Sequence, residues 1–387
     1  EFLTEYFDDM TTMATNIFLK GYQWPFDAQR VTDHQSSLID MAVHQETVVR
    51  GRRVWMDFLS NPIGAEGWDD FQIDQLGAEA LEYLQKTGAM QDLPIDRLAH
   101  MNQPAIDIYA ENNIDLRAEP LEIALCAQHM NGGFAVDKWW RSGIARTFVI
   151  GEMAGTHGVK RPGGSALNAG QVGAMRAADH IANAGSSRTP DAEQPAVRRG
   201  LAAAGSRLKR MLANGAADVT PAEAMVEIRD RMMRYGAHLR SRPGASGALK
   251  AAKEQYARLL HKGLKVSAPR QLAAAVQALQ QCLTHVGVLK AICAMFDRGA
   301  GSRGSHCILD DSGLEMHPAL INPATGRPYQ FKEENQSLRN EILQLTYNPA
   351  APDLFDVDIV EPRAVPDRDI AFEVAWAEFR EGMIYEL

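Results

Sequence analysis

The stretch Thr147–Ala182, TFVIGEMAGTHGVKRPGGSALNAGQVGAMRAADHIA, decides how this chain is read. Thr147-Phe148-Val149-Ile150 is a short β-branched and aromatic run, a strand candidate that ends on Gly151-Glu152. A glycine-rich loop follows from Gly155 to Gly164, and then a helix of small residues from Ser165 to Ala184. A carboxylate at a strand end can accept hydrogen bonds from a polyol. A glycine-rich loop lets backbone come close to a flat ligand. The helix opens with Ser165-Ala166-Leu167 just after a basic residue, Arg161, and its first turn presents unpaired N–H groups and partial positive charge. Such an arrangement suits a ligand edge rich in carbonyl oxygens. It also suits plain close packing of a helix on a turn, and the residues alone leave both readings open.

Outward from this stretch the character changes. Upstream, CAQHMNGGFAVD (126–137) carries Gly132-Gly133 and a second strand candidate, Phe134–Asp137. Residues 1–58 read as helices with short breaks, running into a strand-like Val54–Phe58. Helical patterns return over 71–87, stopping at Gly88 as a C-terminal glycine, and over 96–112. Residues 183–199 have linker composition. Three amphipathic helices are expected at about 221–242, 246–262 and 269–298, a small antiparallel bundle broken at Pro243-Gly244 and near Pro269. After Gly299 loops and short strands are expected, and scattered prolines mark the region as irregular. The expected divisions are 1–115, 116–185, 186–300 and 301–387.

Composition narrows the function classes. With 45% apolar and 23% charged residues, the 387-residue chain is long enough for several domains with real cores. Its net charge of −9 argues against a nucleic-acid partner, and the local run Arg198, Arg199, Arg207, Lys209, Arg210 reads as a solvated helix face. Cys126, Cys282, Cys293 and Cys307 form no C-x-x-C pair, so no metal site is expected. No apolar run of about 18 residues and no signal segment is apparent, so a cytoplasmic protein without direct membrane insertion is expected.

The segment Gly151–Leu167 resembles the C-terminal flavin-binding motif of the succinate dehydrogenase/fumarate reductase flavoprotein family, which includes L-aspartate oxidase and adenylylsulfate reductase. That motif runs G-E-x-A-G-(x)-x-H-G-A-N-R-L-G-G-N-S-L, and residues 151–167 follow it with a slightly shortened loop. The 126–137 stretch is similar to the family's H-Y-x-M-G-G-I segment. Gly301–His306 is similar to E-S-R-G-A-H with Gly301 in place of the acid, and Arg303 reads as an ion-pairing or interface residue. The resemblance implies an α+β or α/β fold with FAD as cofactor. It makes residues 1–115 the remainder of a capping domain, 116–185 the return segment of an FAD-binding domain, 186–300 a helical bundle domain and 301–387 a C-terminal region. It implies that Gly132, Gly133, Gly151, Glu152, Gly164, Ser165, Ala166 and Leu167 hold the cofactor, with Glu152 on the ribityl chain and the N–H groups of Ala166 and Leu167 at the pyrimidine edge. Arg161 then anchors a substrate carboxylate, with Gln128 or His129 beside it.

Counting back from the glycines, the family's substrate histidine falls on Gln128, which can hydrogen-bond a carboxylate but brings no positive charge. That departure counts against succinate or fumarate themselves. No G-x-G-x-x-G turn and no R-G-E-G-G segment occurs in the chain, while Phe2–Phe7 loosely resembles the family's G-E-R-F-M-x-R-Y. The expectation is therefore a fragment of an FAD-dependent oxidoreductase, inactive in isolation. Its implied activity is hydride transfer between flavin and a small succinate/fumarate-like acid. The implied partner is an iron–sulfur protein or another electron-transfer subunit. The alternative is a non-catalytic, partner-binding scaffold.

Overall fold

The computed structural model describes residues 2–23, 25–127, 132–156, 165–184, 194–364 and 371–383. The N-terminal layer is helical where its caps require it. α1 (Met10–Tyr22) starts at Asp9, whose carboxylate accepts the Thr12 N–H at 2.7 Å. α2 (Ala28–Thr32) starts in the same way at Asp27. α3 (Ser37–His44) runs into a π-helical turn, Gln45–Val49, and then β1 (Val54–Met56). α4 (Ala78–Thr87) stops at Gly88, which sits in the left-handed region at φ 71° as expected of a terminating glycine. α5 (Pro94–Glu111) kinks at Asn102, two residues before Pro104. Met13, Leu38, Met41 and Leu84 are sealed inside this layer.

β2 (Leu121–Ile123) pairs antiparallel with β1, Val54 opposite Ile123. The strands expected at 134–137 and 147–150 do not form as ladders. Only an isolated bridge joins Arg141 and Phe148. The Phe134 N–H instead donates to the Met153 carbonyl and the Val149 N–H to the Trp140 carbonyl. A strand needs a continuous neighbour for its N–H and C=O groups, and among the described residues these runs have only such single contacts. A 3₁₀ turn, Gly151–Ala154, and α6 (Ser165–Ala184) complete the segment.

α7 (Pro195–Ala213) begins inside the stretch of linker composition. α8 (Pro221–Tyr235) opens with a capping box between Thr220 and Glu223. β3 (Leu239–Arg240) and α9 (Arg242–Lys262) follow. Pro243 was expected to break a helix and instead begins one: its missing N–H costs nothing in a first turn, where Ser241 caps the Gly244 N–H. α10 (Leu272–Asp297) packs against α8 and α9 through Ala275, Leu279, Cys282, Val286 and Leu289. Contrary to expectation, Pro269–Asp297 has membrane-span length and hydropathy by composition. In this fold its apolar residues supply the bundle core, which accounts for that composition.

The region after Gly299 has the short strands expected of it, and one helix besides. It holds β4 (Cys307–Glu315), β5 (Ile321–Asn322), β6 (Arg327–Pro328), β7 (Gln330–Lys332), β8 (Ile342–Tyr347), β9 (Phe355–Val360) and α11 (Phe372–Arg380). β4 is central in a mixed sheet, parallel to β3 and antiparallel to β7. Successive strand residues point to opposite faces. Cys307 therefore enters the N-terminal core while Ile308 enters the bundle core. This small sheet is the seam between the two.

Candidate functional site

The two glycine segments singled out in the sequence meet in space. A Cβ on Gly133 would run into the Met153 carbonyl and the backbone of Ala154 and Gly155. Gly155, at φ 65°, would meet the Gly132 carbonyl carbon at 2.7 Å. Gly151, at φ 68°, lies on Gly170 of α6, with a Cβ 3.5 Å from the Gly170 Cα. The 151–155 turn is thus held between the Gly132-Gly133 backbone, where no Cβ fits at Gly133 or Gly155, and α6, where the positive φ of Gly151 rather than lack of space favours glycine. Gly133 is in contact with protein backbone here, whereas a Cβ on Gly132 would meet no atom of the described residues.

Side chains assigned no role from the sequence surround this clamp. Trp139 is buried, stacks on His180 at 5.3 Å between ring centroids, and has the Arg176 guanidinium over its ring at 4.8 Å. Arg176 also donates to the Lys138 carbonyl at 3.2 Å. Trp140, in the left-handed region at φ 60°, lies against Gly173. Burial by itself raises the Asp137 pKa, but hydrogen bonds from Arg141 and from the Trp139 N–H outweigh it and hold the carboxyl below its usual range. Sequence reading missed these residues. The available signal was Arg176 and His180 four apart, which puts them on one face of α6.

Glu152 sits in the exposed turn, and its carbonyl accepts the Gly155 N–H at 3.0 Å. Ser165, Ala166 and Leu167 form the first turn of α6, with Leu167 76% exposed. Met153 and Phe134 are exposed as well, so the turn and the helix start carry apolar surface. Gln128, His129, Arg161 and Gly164 lie outside the described residues. Arg303 pairs with Glu334 at 2.9 Å, and Glu334 also receives Arg339. Gly301 has no room for a side chain against the Glu333 carbonyl. Among the described residues no cluster of His, Cys, Asp and Glu could hold a metal.

No family profile matches the chain. A fumarate reductase (CoM/CoB) chain from Methanothermobacter marburgensis is 34% identical over 143 residues, which is 36% of this chain and 25% of that protein. An L-aspartate oxidase from Streptomyces coelicolor is 27% identical over 227 residues, 55% of this chain and 36% of that protein. The chain therefore spans between a quarter and about a third of the length of these curated relatives. Its fold is similar to the FrdA chain of E. coli quinol fumarate reductase, with a TM-score of 0.51 at 15% identity, covering 87% of this chain and 58% of that one. By sequence and by fold, the chain fits the succinate dehydrogenase/fumarate reductase flavoprotein family.

Proposed function

We propose that this chain carries the cofactor-return and substrate-anchoring part of an FAD-dependent oxidoreductase acting on a small carboxylate- or carbonyl-bearing substrate. The observation that carries the reading is the glycine clamp: it brings the Gly132-Gly133 and Gly151–Gly155 segments to one place beside α6. The described residues fit a flavin. Among the described residues nothing stands on the Cβ side of Gly132, Met153 and Leu167 offer exposed apolar surface, and the first turn of a helix such as α6 presents N–H groups without helical partners.

FAD, when bound, supplies a hydride acceptor or donor. The residues of this chain do the rest. Glu152 accepts hydrogen bonds from the ribityl hydroxyls. The N–H groups of Ala166 and Leu167 hold the electron-rich pyrimidine edge. Arg161 anchors the substrate carboxylate, and Gln128 or His129 orients it; these three roles rest on the sequence motif. The proposed partner is a protein that carries electrons to or from the flavin.

The test uses the native protein containing this sequence, purified from its own cells. Flavin absorption and reduction of an added fumarate-like acid by reduced dye are expected. Arg161→Ala should keep the flavin and lower turnover at least about a hundredfold, as loss of a positioning clamp does. A native protein that stays colourless when supplied with FAD would sink the proposal and favour a non-catalytic scaffold.

A further inference from the structure

Between the N-terminal layer and the bundle lies a cavity of about 650 Å³, within the range of small-molecule sites. Arg240 lines it from β3 and is only 4% exposed. Its Nε donates to the Ala237 carbonyl at 2.9 Å. Among the described residues no hydrogen bond or ion pair reaches the other guanidinium nitrogens. Asp40, the carboxylate in the wall, is already paired with Lys20 at 2.6 Å. Burial pushes Arg240 down only to about 10, so it remains a cation at neutral pH. The guanidinium lines the cavity, and a planar fork of N–H groups matches a carboxylate.

The other lining groups narrow the ligand. His238 is buried, with no partner for Nδ1 among the described residues, and burial lowers its pKa to about 4, so it is neutral near pH 7. Much of the remaining wall is apolar: Phe26, Ile39, Val43, Met56, Ile123 and Leu125. A bare inorganic oxoanion would leave that surface facing water.

We propose that this cavity binds a small organic carboxylate with an apolar body, its carboxylate on the free guanidinium edge of Arg240 and its body against the Phe26–Val43 and Ile123–Leu125 walls. The proposal goes beyond the flavin reading and does not use it: no cofactor residue takes part, and the test needs no flavin.

Benzoate is a suitable probe, with benzamide as its neutral counterpart and inorganic phosphate as the anion without a body. Cys126 lines the cavity and is exposed, whereas Cys282 and Cys307 are buried, so alkylation of Cys126 mapped by mass spectrometry reports occupancy. In the full 387-residue chain, benzoate should bind by calorimetry and slow Cys126 alkylation, and benzamide and phosphate should do neither. Arg240→Lys keeps a charge but loses the fork, and should weaken benzoate binding about tenfold. Ala124→Trp, at an exposed position on the cavity wall, should block binding without entering a core, and it decides the matter if Arg240→Lys does not fold. The proposal is overturned if benzoate does not bind, if phosphate or benzamide binds as tightly, or if Cys126 protection persists unchanged in Ala124→Trp.

Discussion

Gly132 and Gly133 are adjacent, yet they answer to different constraints. A methyl group on Gly133 collides with the backbone of Met153–Gly155, while one on Gly132 meets no atom of the described residues. Gly133→Ala should therefore destabilise the 132–156 segment by about 1–3 kcal/mol, read as faster amide exchange over those residues and α6. Gly132→Ala should leave exchange unchanged and, if that face meets the flavin, lower flavin content in the native protein. Equal exchange in the two variants would refute the clamp. The motif itself was legible because its glycines, Glu152 and the start of α6 stand at fixed spacing. The division of labour between the two glycines was not, because it depends on where a turn twenty residues later comes to rest. The pairing of Trp139 with Arg176 was illegible for the same reason: the spacing of Arg176 and His180 marks one face of α6, but not the ring 37 residues earlier that meets it.

Elements that carry their own signals came out near their expected bounds. Helices announce themselves through caps, such as Thr220 with Glu223 and Gly88 at the end of α4. Strands depend on neighbours, and so Phe134–Asp137 and Thr147–Ile150 misled. The β8–β9 hairpin shows how a late element docks. Phe355 lies on Gly287 of α10, and Asp353 receives Lys253 of α9 at 2.6 Å and Lys290 of α10 at 2.8 Å. Hydrogen bonds from these two lysines hold the Asp353 carboxyl below its usual range. Asp353→Asn should loosen the hairpin by about 1 kcal/mol, less at high salt, because the pairs are partly exposed. Limited proteolysis near residues 348–354 would show it, and unchanged cleavage would refute the latch.

For the whole molecule, buried histidines set the acid limit. His238 and His285 are nearly sealed from solvent, and burial lowers both from 6.5 to about 4. His306 is lowered in the same sense. Between those values the unfolded chain takes up protons that the folded chain refuses, so stability falls as pH drops through the window. At pH 5 the loss is about 2 kcal/mol for each of the first two, a large share of ordinary domain stability. Burial raises Asp40, which acts in the opposite direction and trims the loss. Denaturant titrations at pH 7 and pH 5 should show a clear drop in midpoint; an equal or higher midpoint at pH 5 would contradict the burial of these rings.

The seam sheet has a further consequence, for the order of events during synthesis. The core that seals Leu38 and Met41 is completed by Cys307, Met316 and Phe331, which leave the ribosome about 200 residues after α4. At cellular elongation rates that is a wait of roughly 10–40 s. Through that interval the nascent N-terminal layer has an open apolar face. It is a natural client for a chaperone until β4 emerges.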